Sequence, residues 1–162
     1  MPRIGASASR EEGVSDMVGF VLTGHGDFAP GLASSVEMIA GPQPNFDIVA
    51  FHESEAGEYP QLIADAIARS AETCGSAVVF CDLAGGTPFN QAMLVSHERP
   101  GVEVVAGTNL PMLLEALMSR DASSTADGLA DEAVSAGSAS IVHARLVIDE
   151  ASAGDELGEG GI

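Results

Sequence analysis

Residues 77–94 read AVVFCDLAGGTPFNQAML, five apolar residues in a row, then a polar, glycine-rich turn, then Pro88 with apolar residues following at helical spacing. A run that is apolar at every position suits a strand covered on both faces, and strands of that kind belong to parallel sheets. Pro88 falls in the first turn of the following helix, where a missing N–H costs nothing, and Thr87 is the candidate N-cap. The unit is strand, loop, helix. Residues 18–22, 48–51 and 102–106 repeat the strand signal, each followed by Gly, Pro or polar residues. Helical spacing then follows in Leu32, Val36 and Ile39, in Leu62, Ile63, Ala66 and Ile67, in Phe89, Met93 and Leu94, and in Leu113, Leu114, Leu117 and Met118. Pro30 and Pro111 also fall in first turns, and Gly41 suits a helix C-terminus. The pattern predicts an α/β fold: an open, mostly parallel sheet with helices on both faces and right-handed crossovers, in flavodoxin-like strand order 2-1-3-4. Residues 125–138 read as a weaker helix, and 141–148 (IVHARLVI) as a C-terminal edge strand.

The 162 residues suit one core. We expect a single domain over residues 17–149, preceded by a flexible extension (1–16) and followed by an acidic, Gly-rich, disordered tail (150–162). Six Arg and no Lys stand against 24 Asp plus Glu, for a net charge of −18. That balance argues against nucleic acid or an anionic membrane as partner and is read as solubility or salt adaptation. No apolar run approaches the roughly 20 residues of a membrane span, and no signal peptide is visible, so a cytoplasmic location is expected. Cys74 and Cys81 lack CxxC spacing and are assigned to packing.

Ligands of such sheets bind beyond the carboxyl ends of the strands, where the strand order reverses. Two loops reach that edge: Thr23-Gly24-His25-Gly26-Asp27-Phe28 after the first strand, and Asp82 through Asn90 after the third. If those strands are neighbours, His25 meets Asp82. A carboxylate that holds the proton on one imidazole nitrogen leaves the other nitrogen's lone pair free to attack. Gly24, Gly26, Gly85 and Gly86 let backbone amides approach an anion, and the helix starting near Pro88 points its positive end there. The expected ligand is a phosphoryl group. Arg69, Arg99 and Arg120 fall at or just beyond helix ends on the opposite edge, where they are expected to complement helix C-termini. Without Lys there is no P-loop.

The segments VLTGHGDFAPGLASSVEMIAG (21–41), FCDLAGGTPFNQA (80–92) and VVAGTNLPMLLEAL (104–117) resemble the mannose-class enzyme IIA of the bacterial sugar phosphotransferase system. The similarity covers residues 17–120 closely and the stretch after them loosely. It implies a phosphoryl carrier, with His25 as the phosphorylated residue, Asp82 as the aspartate that orients it, and Thr87 with its neighbouring glycines as the phosphate-facing loop. It implies as partners the phosphocarrier HPr as donor and an enzyme IIB as acceptor, with membrane subunits IIC and IID downstream. It also implies a homodimer that exchanges its last strand, matched here by 141–148. Residues 1–16 and the acidic tail lie outside the family pattern, and Ala84 is small where some members carry a bulkier residue.

Blander readings stand beside these. His25 between glycines can shape a turn, and Asp82 can cap a loop. His52, His97 and His143 lack a glycine-flanked setting and are assigned to surface or capping roles; no metal and no cofactor is expected. Asp27 is read as helix-start chemistry, and Phe28 and Leu83 as core or carrier contacts. Gly24 to Ala29 also matches GxGxxG/A, with Glu53 after the second strand, the mark of a dinucleotide-binding module. That reading leaves the DLAGGTP loop unexplained. Two more functions compete with the sugar-transport carrier: the phosphotransfer subunit of a dihydroxyacetone kinase, which uses a similar domain, and a non-catalytic regulatory binder.

Overall fold

The computed structural model describes residues 17–147. In chain order they form β1 (Gly19–His25), α1 (Phe28–Ala40), β2 (Phe46–Phe51), a short 3-10 turn (Glu53–Glu55), α2 (Tyr59–Cys74), β3 (Ala77–Cys81), α3 (Thr87–Glu98), β4 (Val102–Val105), α4 (Leu110–Ser119) and α5 (Ala126–Ala139). The four strands make one parallel sheet in the order β2-β1-β3-β4. This is the architecture that the alternating pattern predicts.

Burial follows from the period of two along each strand. Phe20 and Leu22 of β1 and Val78 and Phe80 of β3 pack on one face with Val36, Leu113, Leu117 and Leu129 from α1, α4 and α5. Val21 and Val79 point the other way, toward Tyr59, Ile63 and Ile67 of α2 and Ala92 of α3. Each fully buried Leu, Ile, Val or Phe contributes about 1.5–3 kcal/mol of transfer free energy, so β3 and the stretch of β1 from Phe20 to Leu22 read as apolar runs. Ala66, Ala92 and Ala116 are fully or almost fully buried, and they let α2, α3 and α4 approach closely. Ile39, Leu62, Met93, Leu94 and Met118, expected on packed faces from their spacing, are displaced to the flanks and stay substantially exposed, Met118 at 74%.

Three local expectations change. The first strand does not stop at Leu22: Thr23, Gly24 and His25 continue it, paired with Val49, Ala50 and Phe51 of β2. Residues 141–147 form no strand and pair with none among the described residues; Ile141, Val142, Leu146 and Val147 are between 76% and 84% exposed. Residue 148, the expected extension (1–16) and the whole of the expected tail (150–162) lie outside the described residues. Arg120 does follow α4 on the far edge of the sheet, yet it does not serve its own helix. It is buried, lies 4.7 Å over the Phe20 ring, and donates to the carbonyls of Val18 (2.9 Å), Asn45 (3.3 Å) and Pro44. Three carbonyls at the starts of β1 and β2 converge on one planar fork that can satisfy them, so the guanidinium ties the strand starts together. Arg69 and Arg99 likewise pair with carboxylates, Asp47 at 3.5 Å and Glu72 at 3.4 Å.

Candidate functional site

The extra length of β1 matters chemically, because it puts His25 on the last residue of a central strand and not in a free loop. The neighbouring β3 ends at Cys81, so Asp82 emerges beside it. Asp82 Oδ2 accepts both the His25 amide N–H (2.8 Å) and the imidazole Nδ1–H (2.7 Å), while Oδ1 accepts the Leu83 amide (2.8 Å). An ionised carboxylate only accepts, so the shared proton sits on Nδ1 and the Nε2 lone pair is free. Burial pushes the Asp82 carboxyl up, but hydrogen bonds from the His25 amide, the imidazole and the Leu83 amide more than offset it and hold the group below its ordinary range. The imidazole is 45% exposed and the carboxylate 10%, so the acid is sheltered and the ring is open to solvent.

Glycine is required by close approach at two points. A Cβ on Gly24 would lie 2.6 Å from the Phe28 ring and 3.0 Å from Asp82 Cβ; one on Gly86 would lie 2.8 Å from His25 Cε1 and 3.5 Å from Nε2. The ring edge that carries Cε1 and Nε2 thus lies beside Gly86, the residue that opens α3, a helix whose first amides have no intrahelical partner and carry the positive end of the helix dipole. Gly26 (φ +55°) and Gly85 (φ +80°) turn the two loops. Cys81 is no competing nucleophile: burial, with the Asp82 charge, pushes its thiol up to about 12. Such an arrangement suits transfer of an anionic group to and from Nε2.

Residues 19–134 match the family described as the PTS system fructose IIA component. The chain belongs to the mannose-class enzyme IIA family of the bacterial sugar phosphotransferase system. It is 33% identical over 120 residues to the mannose-specific EIIAB component of Escherichia coli, a match that covers 74% of this chain and 37% of that protein. The chain thus spans little more than a third of that relative. It is 34% identical over 110 residues to the fructose-specific EIIA component of Bacillus subtilis, covering 65% of this chain and 72% of the relative. The solved mannose/sorbose-specific IIA subunit of Enterococcus faecalis superposes with a TM-score of 0.72 at 30% identity, over 81% of this chain and 97% of that one. Family membership removes the dinucleotide-binding reading, whose glycine pattern here surrounds a histidine engaged by Asp82.

In this enzyme IIA the fold brings His25, Asp82, Gly24 and Gly86 into contact, with Gly26 and Gly85 in the adjoining turns. Thr87 is placed differently from expectation. Gly86 takes the N-cap position and Thr87 is the first helical residue, because an extended Gly86 can lie against the imidazole where a side chain cannot. Sequence reasoning misses three supports. Phe51 packs its ring edge-on to His25 at 5.5 Å, and in turn meets Tyr59 at 4.8 Å. Tyr59 shares a buried 2.7 Å hydrogen bond with Thr23, two residues before His25. Asn90 Nδ2 donates to Gly85 O at 3.2 Å and braces the second loop from inside α3. Only Asn90 leaves a local signal, as an amide one turn into a helix that opens on two glycines. His52, expected in a surface or capping role, borders the cavity that His25 lines. Among the described residues, no helix is long and apolar enough to cross a membrane.

Proposed function

We propose that this enzyme IIA is a phosphoryl carrier whose acceptor atom is His25 Nε2. The donor is phosphohistidine on HPr and the recipient an enzyme IIB, whose phosphorylation drives sugar uptake through IIC and IID subunits. Nε2 attacks phosphorus in line as the donor's P–N bond breaks, and the donor imidazole leaves with that electron pair. His25 keeps its Nδ1 proton throughout, so it becomes an imidazolium while the new bond forms, and Asp82 stabilises the charge. Return transfer to the next carrier reverses these changes. Gly24, Gly26, Gly85, Gly86 and Thr87 shape the space into which the phosphoryl oxygens fit, next to the α3 amides. Exchange between two histidines is nearly balanced, so orientation and preset dipoles supply what the step needs.

The observation that carries this reading is the 2.7 Å bond between His25 Nδ1 and Asp82 Oδ2, which frees Nε2 toward Gly86. Residues 17–149 are the unit that performs the transfer, in the cytoplasm, where the phosphocarrier is available. The exposed apolar residues at 141–147 and the outer edge of β4, which no strand among the described residues covers, favour a homodimer in which this stretch pairs beside the partner copy's β4. Incubation with phosphoenolpyruvate, enzyme I and HPr is expected to add one phosphoryl group, lost in acid. Its absence from wild type, or its persistence in His25→Ala, overturns the assignment.

A further inference from the structure

His52 takes no part in the transfer just described, yet it borders the same space. It is the residue after β2, and because β2 flanks β1, it stands beside His25 on the side away from Asp82 and Gly86. The two histidines line one open cavity of about 420 Å3 together with Gly26, Phe51 and Glu53. Backbone bonds hold the segment in place: the Gly26 amide donates to Phe51 O at 2.8 Å and the Glu55 amide to His52 O at 2.9 Å. The His52 ring is 42% exposed, and its Nε2 lies 3.8 Å from an oxygen of Asp27, itself 91% exposed. That separation exceeds hydrogen-bond reach, so Asp27 does not engage the ring N–H.

Charge makes the position consequential. A phosphoryl group on His25 is a multiply charged anion placed among acids. Asp27 lies ahead of α1, Glu53 and Glu55 are in the 3-10 turn, Glu58 precedes α2, and Asp82 sits behind the imidazole. Among the described residues neither Arg nor Lys lines the cavity, and Arg69, Arg99 and Arg120 are engaged elsewhere. Besides His25, the lining side chain able to carry positive charge near neutrality is His52. We propose that protonated His52 is a positioning residue for the phosphoryl group, donating to one of its oxygens from the β2 side while the α3 amides face it from the β3 side. This rests on His25 being the phosphoryl acceptor. By linkage, phosphorylation of His25 and protonation of His52 then favour each other by the same factor.

The test equilibrates wild type and His52→Gln with the same phosphorylated HPr and maps the phosphorylated residue. Because donor and pH are shared, the donor's own titration cancels in the ratio of the two occupancy quotients, phosphorylated over free. Protonated His52 stabilises the phosphorylated form at low pH and not at high pH. The wild-type quotient is therefore expected to exceed the variant's about fivefold at pH 6, with the gap closing by about pH 8.5. In wild type, the ring signals of His52 are also expected to show a larger protonated fraction after phosphorylation. A ratio of one at pH 6, or a ratio independent of pH, overturns the role of His52 while leaving the carrier reading intact. Wild type that takes no phosphoryl group on His25 overturns the carrier reading itself.

Discussion

Asp82 Oδ2 receives two hydrogen bonds from His25, one from its backbone amide at 2.8 Å and one from its ring Nδ1 at 2.7 Å. The first fixes where the residue sits and the second fixes which nitrogen carries the proton. Asp82→Asn keeps the volume but replaces a pure acceptor with a group that also donates, so the tautomer is no longer set. Phosphoryl transfer to His25 is expected to slow by about a hundredfold, with the circular dichroism of the fold unchanged. An unaltered rate removes Asp82 from the mechanism.

The same carboxylate makes a stability prediction. Its folded-state pKa is lowered, so its contribution is present above the ordinary aspartate value and is lost as pH falls through the lower folded value. The Tm gap between wild type and Asp82→Asn is expected to be full near neutrality, still present at about pH 4, and to close below that. Thermal unfolding from pH 7 to pH 3 measures it. A gap independent of pH contradicts the hydrogen-bond assignment.

Gly86 has φ −76° and ψ 167°, extended backbone that any residue adopts, so Gly86→Ala acts by contact alone. The added methyl would fall 2.8 Å from His25 Cε1, with Leu83 Cδ1 at 3.3 Å on another side. The imidazole must move, at a cost of about 1–3 kcal/mol, and phosphorylation is expected to fall at least tenfold while the unfolding midpoint changes little. Phosphorylation at the wild-type rate would place Nε2 somewhere other than against Gly86.

Much of this is legible in the chain because burial on both faces leaves a contiguous signature. β1 and β3 read as apolar runs, and their carboxyl ends carry the His25 and Asp82 loops that the crevice rule brings together. What is illegible depends on register and on packing at a distance. That β1 continues through His25 follows from pairing with Ala50 and Phe51, which Gly24 and His25 do not announce. His52 gains its neighbour from that same register. The exposure of Met93 and Leu94 reflects an approach that runs through Ala92, a choice helical spacing alone does not make. Residues 141–147 have strand composition but no partner strand among the described residues of one chain.

Arg120 escapes a sequence reading for the same reason, since its role depends on carbonyls 75 to 102 residues away in sequence. Arg120→Met removes a donor from the Val18, Pro44 and Asn45 carbonyls, of which Asn45 keeps the Phe20 amide at 2.8 Å, and about 3 kcal/mol of stability is expected to be lost in urea unfolding. Below its lowered midpoint the variant should still accept phosphate, because the guanidinium lies at the opposite end of the strands from His25. A loss of transfer without loss of stability would contradict this separation.

The most direct measurement is nitrogen-resolved NMR of the protein labelled with 15N at histidine and phosphorylated through HPr. Coupling of phosphorus to Nε2 of His25, with a proton retained on Nδ1, is the expected result. Coupling to Nδ1, or to any histidine other than His25, would contradict the mechanism at its root.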